Sequence, residues 1–271
     1  MNKKLIICGG ASYTSGHELA ADLLVPGYSK NTYALEWDEH TTARKELSRL
    51  LINREKELTT RENEVYLHES KRRAWPAKLG TLVTEKADVI NCAGNGLSNE
   101  EVAWRISEIY NHAIKTMSPE NITVIVMPAN FFRFGIPTYE NSQAGWQSFS
   151  AHNFPAKRSK VTPIAEYIFN HLTDYDHLWR STIYLLGIQN YVKSLGSNLI
   201  FVGDGSWDLF FENYKKENQE AVANIKTAMD VRIQMFNLTG MYYAMMHYPE
   251  EAHQMFAEKV EKLLTDNQFL G

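Results

Sequence analysis

Residues 5–16 read LIICGGASYTSG, and this stretch decides the prediction of the fold. Leu5–Cys8 is a short, continuous apolar run that ends in Gly9 and Gly10, which is typical of a buried parallel strand entering a tight turn. A helix is expected to begin near Ser15–His17. The stretch therefore predicts a first strand whose carboxyl end leads directly to Ser12.

Similar apolar runs recur along the chain, with helical patterns between them. Ser98 and Glu101 form a capping-box pattern before apolar residues at helical spacing. Because strands alternate with helices, we predict an α/β fold, a three-layer α/β/α sandwich with a central, mostly parallel sheet of the flavodoxin-like type. The further predicted strands are Ala87–Cys92, Ile122–Met127 and Asn198–Val202, and the long predicted helices are Asp174–Leu195 and Pro249–Leu264, with Pro249 as the first helical residue.

Two segments do not fit this alternation. Thr41–Ser70 is rich in Lys, Arg, Glu and Leu, which predicts a helical insertion with an exposed helix over Thr41–Thr59. Residues 134–160 are rich in Gly, Ser, Asn and Pro and show no period, which predicts a long surface loop. Residues 207–234 are polar and predict a helical or mixed stretch. The 271 residues show no internal repeat, so we expect one domain spanning 1–271 with this insertion and this loop.

The composition argues against several classes of protein. The net charge of -4 and the absence of a basic stripe argue against a nucleic-acid partner. No apolar run reaches the ~20 residues of a membrane span, and the N-terminal apolar run is too short for a secretory signal. Cys8 and Cys92 each end an apolar run, so we expect two buried free thiols, a reducing compartment and a cytoplasmic location.

Three turns are expected to meet at one edge of the sheet, because ligands of such folds bind outside the carboxyl ends of the strands. They are 10–12, 94–96 and 128–130. Ser12 is the candidate nucleophile, and the backbone N–H groups of Ser12 and Gly96, with the Asn130 amide, are candidate oxyanion donors. His247 is the candidate base because it shortly precedes the last helix. No cofactor is needed, and no metal site is expected.

Other nucleotide and hydrolase motifs do not fit the first turn. A phosphate-binding loop needs Lys-Ser/Thr after its last glycine, but His17-Glu18 follows Gly16. The spacing from Gly10 to Gly16 lacks the dinucleotide fingerprint. The nucleophile elbow of α/β-hydrolases needs glycine two residues after the serine, where this chain has Thr14.

Five blocks in order resemble the SGNH/GDSL hydrolase family, especially divergent members encoded by tailed bacteriophages. The resemblance implies an SGNH-hydrolase type of fold, with Ser12 as nucleophile, Gly96 and Asn130 in the oxyanion hole, His247 as base and His253 as a structural histidine. It covers most of the chain except 41–70 and 134–160. The blocks are ICGGASYTSGHEL, AWPAKLG with VINCAGNGLSNEEVAWR, VIVMPANFFRF, HLWRSTIYLLGIQNYVKSLGSNLIFV and HYPEEAHQMFAEKV.

The chain departs from this family in ways that bear on the chemistry. Ala11 stands where the family has aspartate before the serine, and Ala244 stands where it has the triad acid three residues before the histidine. Tyr248 separates His247 from the proline. Losing the acid's role can cost on the order of 10⁴ in rate. A backbone carbonyl, or a carboxylate such as Asp204 or Asp208, is the candidate to replace the missing triad acid.

The residues and the resemblance together predict an ester hydrolase with a Ser-His dyad or triad, and the resemblance implies a small acyl ester or an O-acetylated sugar as its substrate. Arg105 and Arg133 are expected to support the crevice between these three turns rather than to contact the substrate. One alternative is a catalytically degenerate protein that serves as a phage structural or binding module, in the host cytoplasm or on the virion. A third is an interaction protein that uses Thr41–Ser70 and the long loop. Homo-oligomer formation is left open.

Overall fold

The computed structural model describes residues 3–26, 28, 42–131, 133–140, 143–150, 163, 167–168, 171–172, 174–203, 228–234 and 249–270. The strands of its central sheet are β1 (Lys4–Gly10), β2 (Ala87–Asn91), β3 (Ile122–Met127), β6 (Asn198–Gly203) and β7 (Val231–Gln234). Their order across the sheet is β2-β1-β3-β6-β7, and all of the pairings are parallel. This is the flavodoxin-like order, whose switch point lies between β1 and β3.

Helices cover both faces of this sheet. The helices are α1 (Ser12–Ser15), α2 (Thr42–Glu57), α3 (Thr60–Arg73), α4 (Trp75–Leu82), α5 (Asn99–Ala113), α6 (Asp174–Ser194) and α7 (Glu250–Asp266). Leu5 and Ile7 of β1 pack in one apolar core with α5 and α6. Ile6 and Cys8 pack in a second core with α4 and α7. Because both faces are covered, the central strands are continuously apolar, and the predicted three-layer sandwich is confirmed.

The helix ends follow local signals. Ser98 caps α5, since its Oγ accepts a hydrogen bond of 3.3 Å from the Glu101 N–H, which is one of the two bonds of the predicted capping box. Gly196, at φ +92°, follows the end of α6. Pro249 is the N-cap of α7 rather than its first helical residue, so the prediction placed it one position too far inside.

The region before the insertion differs from the prediction. The expected helix beginning at Ser15–His17 is not formed, because α1 is a single turn that ends at Ser15. Gly16 follows it at φ +79°, and a Cβ there would lie 2.3 Å from the Ser70 carbonyl oxygen. The insertion forms two helices, α2 and α3, and Leu51 of the helix predicted to be exposed is fully buried.

The segment predicted as a long surface loop contains a β-hairpin. β4 (Arg133–Glu140) pairs antiparallel with β5 (Gln143–Ser150), and Glu140 pairs with Gln143, so only two residues connect the strands. Pro137 and glycines on both strands interrupt the alternation that would have indicated them. Residues 151–160 of that predicted loop lie outside the described residues.

The strand β7 was not expected either. It falls in a stretch that the sequence predicts as polar and helical or mixed, of which the structure describes residues 228–234, and the last four of these form the strand. β7 is a short edge strand beside β6, with a register irregularity at Phe201 and Val202. Within the described part of the chain, no helix combines the length and the apolar character that crossing a membrane requires.

Candidate functional site

Ser12 lies at the carboxyl edge of the central sheet. β1 ends at Gly10 and α1 begins at Ser12, so only Ala11 separates the strand from the helical turn. The Ser15 N–H donates a 3.0 Å hydrogen bond to the Ala11 carbonyl and closes that turn. The first residues of a helical turn have N–H groups without partners inside the helix. Ser12 therefore starts a short helix directly behind the strand.

Two further turns leave the same edge on either side of Ser12. β1 lies between β2 and β3, and its register pairs Cys8 with Asn91 and Gly10 with Met127. Residues that follow β2 and β3 therefore emerge beside the start of α1. Two predicted site residues lie in these turns, Gly96 after β2 and Asn130 after β3.

Backbone and side-chain hydrogen bonds hold the turn after β2 against β1 and α1. The Gly94 N–H donates to the Gly10 carbonyl at 3.3 Å. The Asn91 side chain donates from Nδ2 to the Thr14 carbonyl at 2.9 Å and accepts from the Ala93 N–H at 3.1 Å. The end of β2 is therefore tied to the helical turn that begins at Ser12.

Gly96 has the backbone conformation that a glycine serves best. Its φ is +73°, in the left-handed region. The residue is exposed, and apart from its chain neighbours no heavy atom of the described residues lies within 4 Å of the position that a Cβ would occupy. The described residues therefore leave room for a ligand to approach the Gly96 backbone.

Asn130 is exposed at the top of the turn after β3. Its carbonyl accepts a 3.0 Å hydrogen bond from the Arg133 N–H, which closes the turn before β4. The preceding residue, Ala129, is buried. The turn thus presents Asn130 on a backbone that is fixed on both sides.

Sequence reasoning missed Asn99, which contacts this turn. Its side chain is fully buried, Oδ1 accepts from the Ala129 N–H at 2.7 Å, and Nδ2 donates to the Ala129 carbonyl at 2.8 Å. No local signal in the sequence marks this role, because asparagine favours the ends of helices whatever its tertiary contacts.

Asn95 connects α1 to the turn that contains Gly96, and this contact was also missed. The Ser15 hydroxyl donates to Asn95 Oδ1, and Asn95 Nδ2 lies 2.8 Å from His17 Nδ1. A histidine that the sequence analysis did not propose for the site therefore lies at this edge.

The helical insertion reaches the same edge. Glu55 of α2 places Oε1 4.0 Å from His17 Nδ1 and accepts a 3.1 Å hydrogen bond from the hydroxyl of Tyr66 in α3. Burial, and then the charge of Glu55, raise the pKa of Tyr66 well above its usual value, which keeps its hydroxyl a donor. The insertion thus supplies a carboxylate near His17.

His247, the predicted base, lies outside the described residues, as do Ala244, Asp204 and Asp208. His253 is buried in α7, and its Nδ1 accepts a 3.1 Å hydrogen bond from the Trp75 N–H. This contact fits the structural role that the family resemblance implies for His253.

Arg105 lies against the turn after β2. Its Nη2 donates to Glu101 Oε1 at 2.9 Å, and its Nη1 is 3.0 Å from the position that a Cβ on Gly94 would occupy. This contact fits the expected bracing role. The Arg133 carbonyl accepts from Arg180 Nη2 at 3.3 Å.

Across the ranges described, no three or more His, Cys, Asp and Glu side chains are grouped so as to hold a metal ion.

Comparisons with known proteins find similar solved structures only. The chain matches no protein-family model and no curated protein. It is similar to a lipolytic protein of the G-D-S-L family from Desulfitobacterium hafniense DCB-2, at 11% identity and a TM-score of 0.45, over 97% of this chain and 100% of that one. It is also similar to a carbohydrate esterase whose active site displays divergent catalytic and non-catalytic binding functions, at 13% identity and a TM-score of 0.48, over 98% of this chain and 66% of that one.

Proposed function

We propose that this chain is a serine hydrolase of acyl esters. One observation carries the proposal: Ser12 begins α1 directly behind β1, between the turns of Gly96 and Asn130 on the two neighbouring strands. Acyl transfer needs a nucleophile with hydrogen-bond donors converging on the oxygen that becomes negative. The carboxyl end of β1, at the switch point of the sheet, is where such folds bind ligands.

Each residue has one role in the proposed reaction. Ser12 Oγ attacks the ester carbonyl while a histidine takes its proton. The N–H groups of Ser12 and Gly96 and the Asn130 amide stabilise the oxyanion. The histidine returns the proton to the departing alcohol, and water then releases the acid by the same route in reverse.

The base is assigned to His247 from its block, with its acid partner still open because Ala244 stands at the usual position. His17 is the competing histidine, since it lies at the same edge beside Asn95 and within 4.0 Å of Glu55. Variants of both histidines must therefore be compared.

The proposed substrates are small acyl esters, including O-acetylated sugars. A setting in a tailed bacteriophage is proposed from the resemblance of the five blocks. The first proposal concerns the identity of the ester and the second the biological setting. The test of the chemistry at Ser12 depends on neither of them.

The test is hydrolysis of p-nitrophenyl acetate and butyrate by the purified chain and by Ser12→Ala, His247→Ala and His17→Ala. Ser194→Ala and His112→Ala are matched controls. Both residues are exposed and lie near the carboxyl ends of α6 and α5, which lead into the amino ends of β6 and β3, at the edge of the sheet opposite Ser12. We expect Ser12→Ala and His247→Ala each to lose at least ~10³-fold in kcat/KM, with both controls unchanged. A fluorophosphonate should label Ser12 in the wild type.

Other outcomes select other functions. Loss of activity in His17→Ala but not in His247→Ala would assign the base to His17. An inert wild type that the fluorophosphonate does not label would refute the hydrolase. The departures at Ala11 and Ala244 would then favour a degenerate binding module, and the search should turn to partners of the crevice.

A further inference from the structure

Asn99 joins the two turns that flank Ser12. It is the first residue of α5, three positions after Gly96, and its side chain is fully buried. Its Oδ1 accepts from the Ala129 N–H at 2.7 Å and its Nδ2 donates to the Ala129 carbonyl at 2.8 Å. One planar amide therefore fixes both hydrogen-bonding groups of the residue that directly precedes Asn130.

The position of the Asn99 amide is itself fixed. Its Nδ2 also donates to the hydroxyl of Ser181, a fully buried residue of α6. A buried amide that loses such partners has no water to replace them, which makes other positions of this side chain costly. Asn99 thus ties the start of α5, the turn after β3 and α6 into one arrangement.

The far end of the same turn is attached to the same helices. Arg180 of α6 forms an ion pair with Glu100, the second residue of α5, and donates from Nη2 to the Arg133 carbonyl at 3.3 Å. The Arg133 N–H in turn donates to the Asn130 carbonyl at 3.0 Å. The backbone on both sides of Asn130 is therefore held by α5 and α6.

We propose that Asn99 is a positioning residue that holds the Asn130 turn in register with the Gly96 turn, so that both point their donors at one oxyanion. The proposal rests on the proposed hydrolase function and concerns the geometry of its oxyanion site. Such donors stabilise the transition state only if they are placed in advance, and a displacement of ~1 Å can cost about 10²-fold in rate.

The test compares Asn99→Ala with two control variants. Ser181→Ala removes the third partner of the amide and leaves both bonds to Ala129. Val192→Ala removes buried methyl groups from the apolar core that also contains Ala129. None of the hydrogen bonds described connects Val192, a residue of α6, to the turn after β3. We expect Asn99→Ala to lower kcat on p-nitrophenyl acetate by about 10- to 100-fold with KM within ~3-fold, and to slow fluorophosphonate labelling of Ser12 similarly.

A second readout follows the turn itself. Amide hydrogen exchange of Ala129 should quicken at least ~10-fold in Asn99→Ala relative to Val192→Ala at matched stability, because only the first variant removes its acceptor. A kcat that falls no further in Asn99→Ala than in Val192→Ala, from an active wild type, would overturn the positioning role alone. An inert wild type would overturn the hydrolase, and this role with it.

Discussion

The N–H of Gly94 donates a 3.3 Å hydrogen bond to the carbonyl of Gly10, beyond the end of β2. The pairing of the two strands thus continues into the turns that follow them. On the other side of β1, Gly10 pairs with Met127, the last residue of β3. The backbone of Gly10 is therefore the point at which the turns of Ser12, Gly96 and Asn130 converge.

Gly10→Ala should destabilise the chain more than Gly9→Ala. A Cβ at Gly10 would lie 2.3 Å from Thr14 Oγ1 and 2.9 Å from the Met127 carbonyl oxygen, so α1 would have to move away from β3. A Cβ at Gly9 would meet side-chain carbons alone, Ile106 Cδ1 at 2.4 Å, Ile106 Cγ1 at 2.7 Å and Val102 Cγ1 at 3.6 Å, and no backbone atom. Because overpacking costs about 1–3 kcal/mol, we expect Gly10→Ala to cost at least ~1 kcal/mol more in the free energy of unfolding. Urea denaturation of both variants measures this, and equal costs would contradict it.

The fold was predictable where local pattern and final environment agree. β1 and β3 are buried on both faces by helices, so their sequences are continuous apolar runs with little ambiguity. The hairpin of β4 and β5 was not predictable in this way, because Pro137 and one glycine on each strand break its alternation. The edge strand β7 is only four residues long, which is too short for a pattern to emerge.

For the candidate site, the sequence predicted the position of the turns but not the hydrogen bonds that connect them. Ser12, Gly96 and Asn130 follow from turns after successive strands and lie at one edge. The bond between Asn99 and Ala129 spans 30 residues, and no local spacing encodes it. The approach of Glu55 to His17 depends on how α2 packs, which the charged composition of that helix does not indicate.

Both cysteines should react slowly in the folded chain. Cys8 is fully buried, and Cys92, which is 8% exposed, donates from Sγ to the Cys8 carbonyl at 3.2 Å. Burial raises the pKa of the Cys8 thiol, and burial likewise raises that of Cys92 to about 11. Only the thiolate reacts, so at about pH 8 we expect labelling by an aromatic disulfide reagent to be at least ~100-fold slower than in concentrated guanidinium chloride.

Single-cysteine variants separate the two rates. In Cys8→Ala the remaining Cys92 should react faster than Cys8 does in Cys92→Ala, because Cys92 retains some exposure. Native rates equal to the denatured rates would show that the end of β1 opens freely, and would contradict the packing around it.

The chain should lose stability in alkali through Tyr28 and Tyr66. Burial, followed by the neighbouring carboxylates Glu18 and Glu55, raises the pKa of both phenols well above their usual value. Above a pH of about 10 the unfolded chain releases these protons and the folded chain keeps them. Their contribution to stability is therefore complete below that pH and falls as the pH rises, by about 1.4 kcal/mol per pH unit for each tyrosine.

The measurement is the free energy of unfolding between about pH 8 and pH 11. Tyr28→Phe and Tyr66→Phe should each make the alkaline slope shallower, whatever their effect at neutral pH. Tyr167→Phe is the control, since Tyr167 is 63% exposed and should leave the slope unchanged. A slope that is identical in all four proteins would rule out this source of alkaline instability.

The ion pair of Glu100 and Arg180 should be strongly coupled because its carboxylate is buried. The Glu100 side chain is 1% exposed and that of Arg180 is 25% exposed. Arg180→Met leaves a buried charge without its cation, which we expect to cost about 3–5 kcal/mol. Glu100→Gln should cost less, because Arg180 keeps the Arg133 carbonyl and the Phe134 ring, whose centroid is 5.1 Å away.

A double-mutant cycle measures this coupling. We expect the variant with both changes to recover much of the loss, giving an interaction energy of at least ~1.5 kcal/mol. The matched surface pair is Arg54 and Glu57, whose side chains are 56% and 65% exposed, and its cycle should give less than ~0.5 kcal/mol. If the two cycles gave equal energies, burial at the start of α5 would not be what strengthens the pair, and the attachment of the Asn130 turn to α6 would have to rest on Asn99 alone.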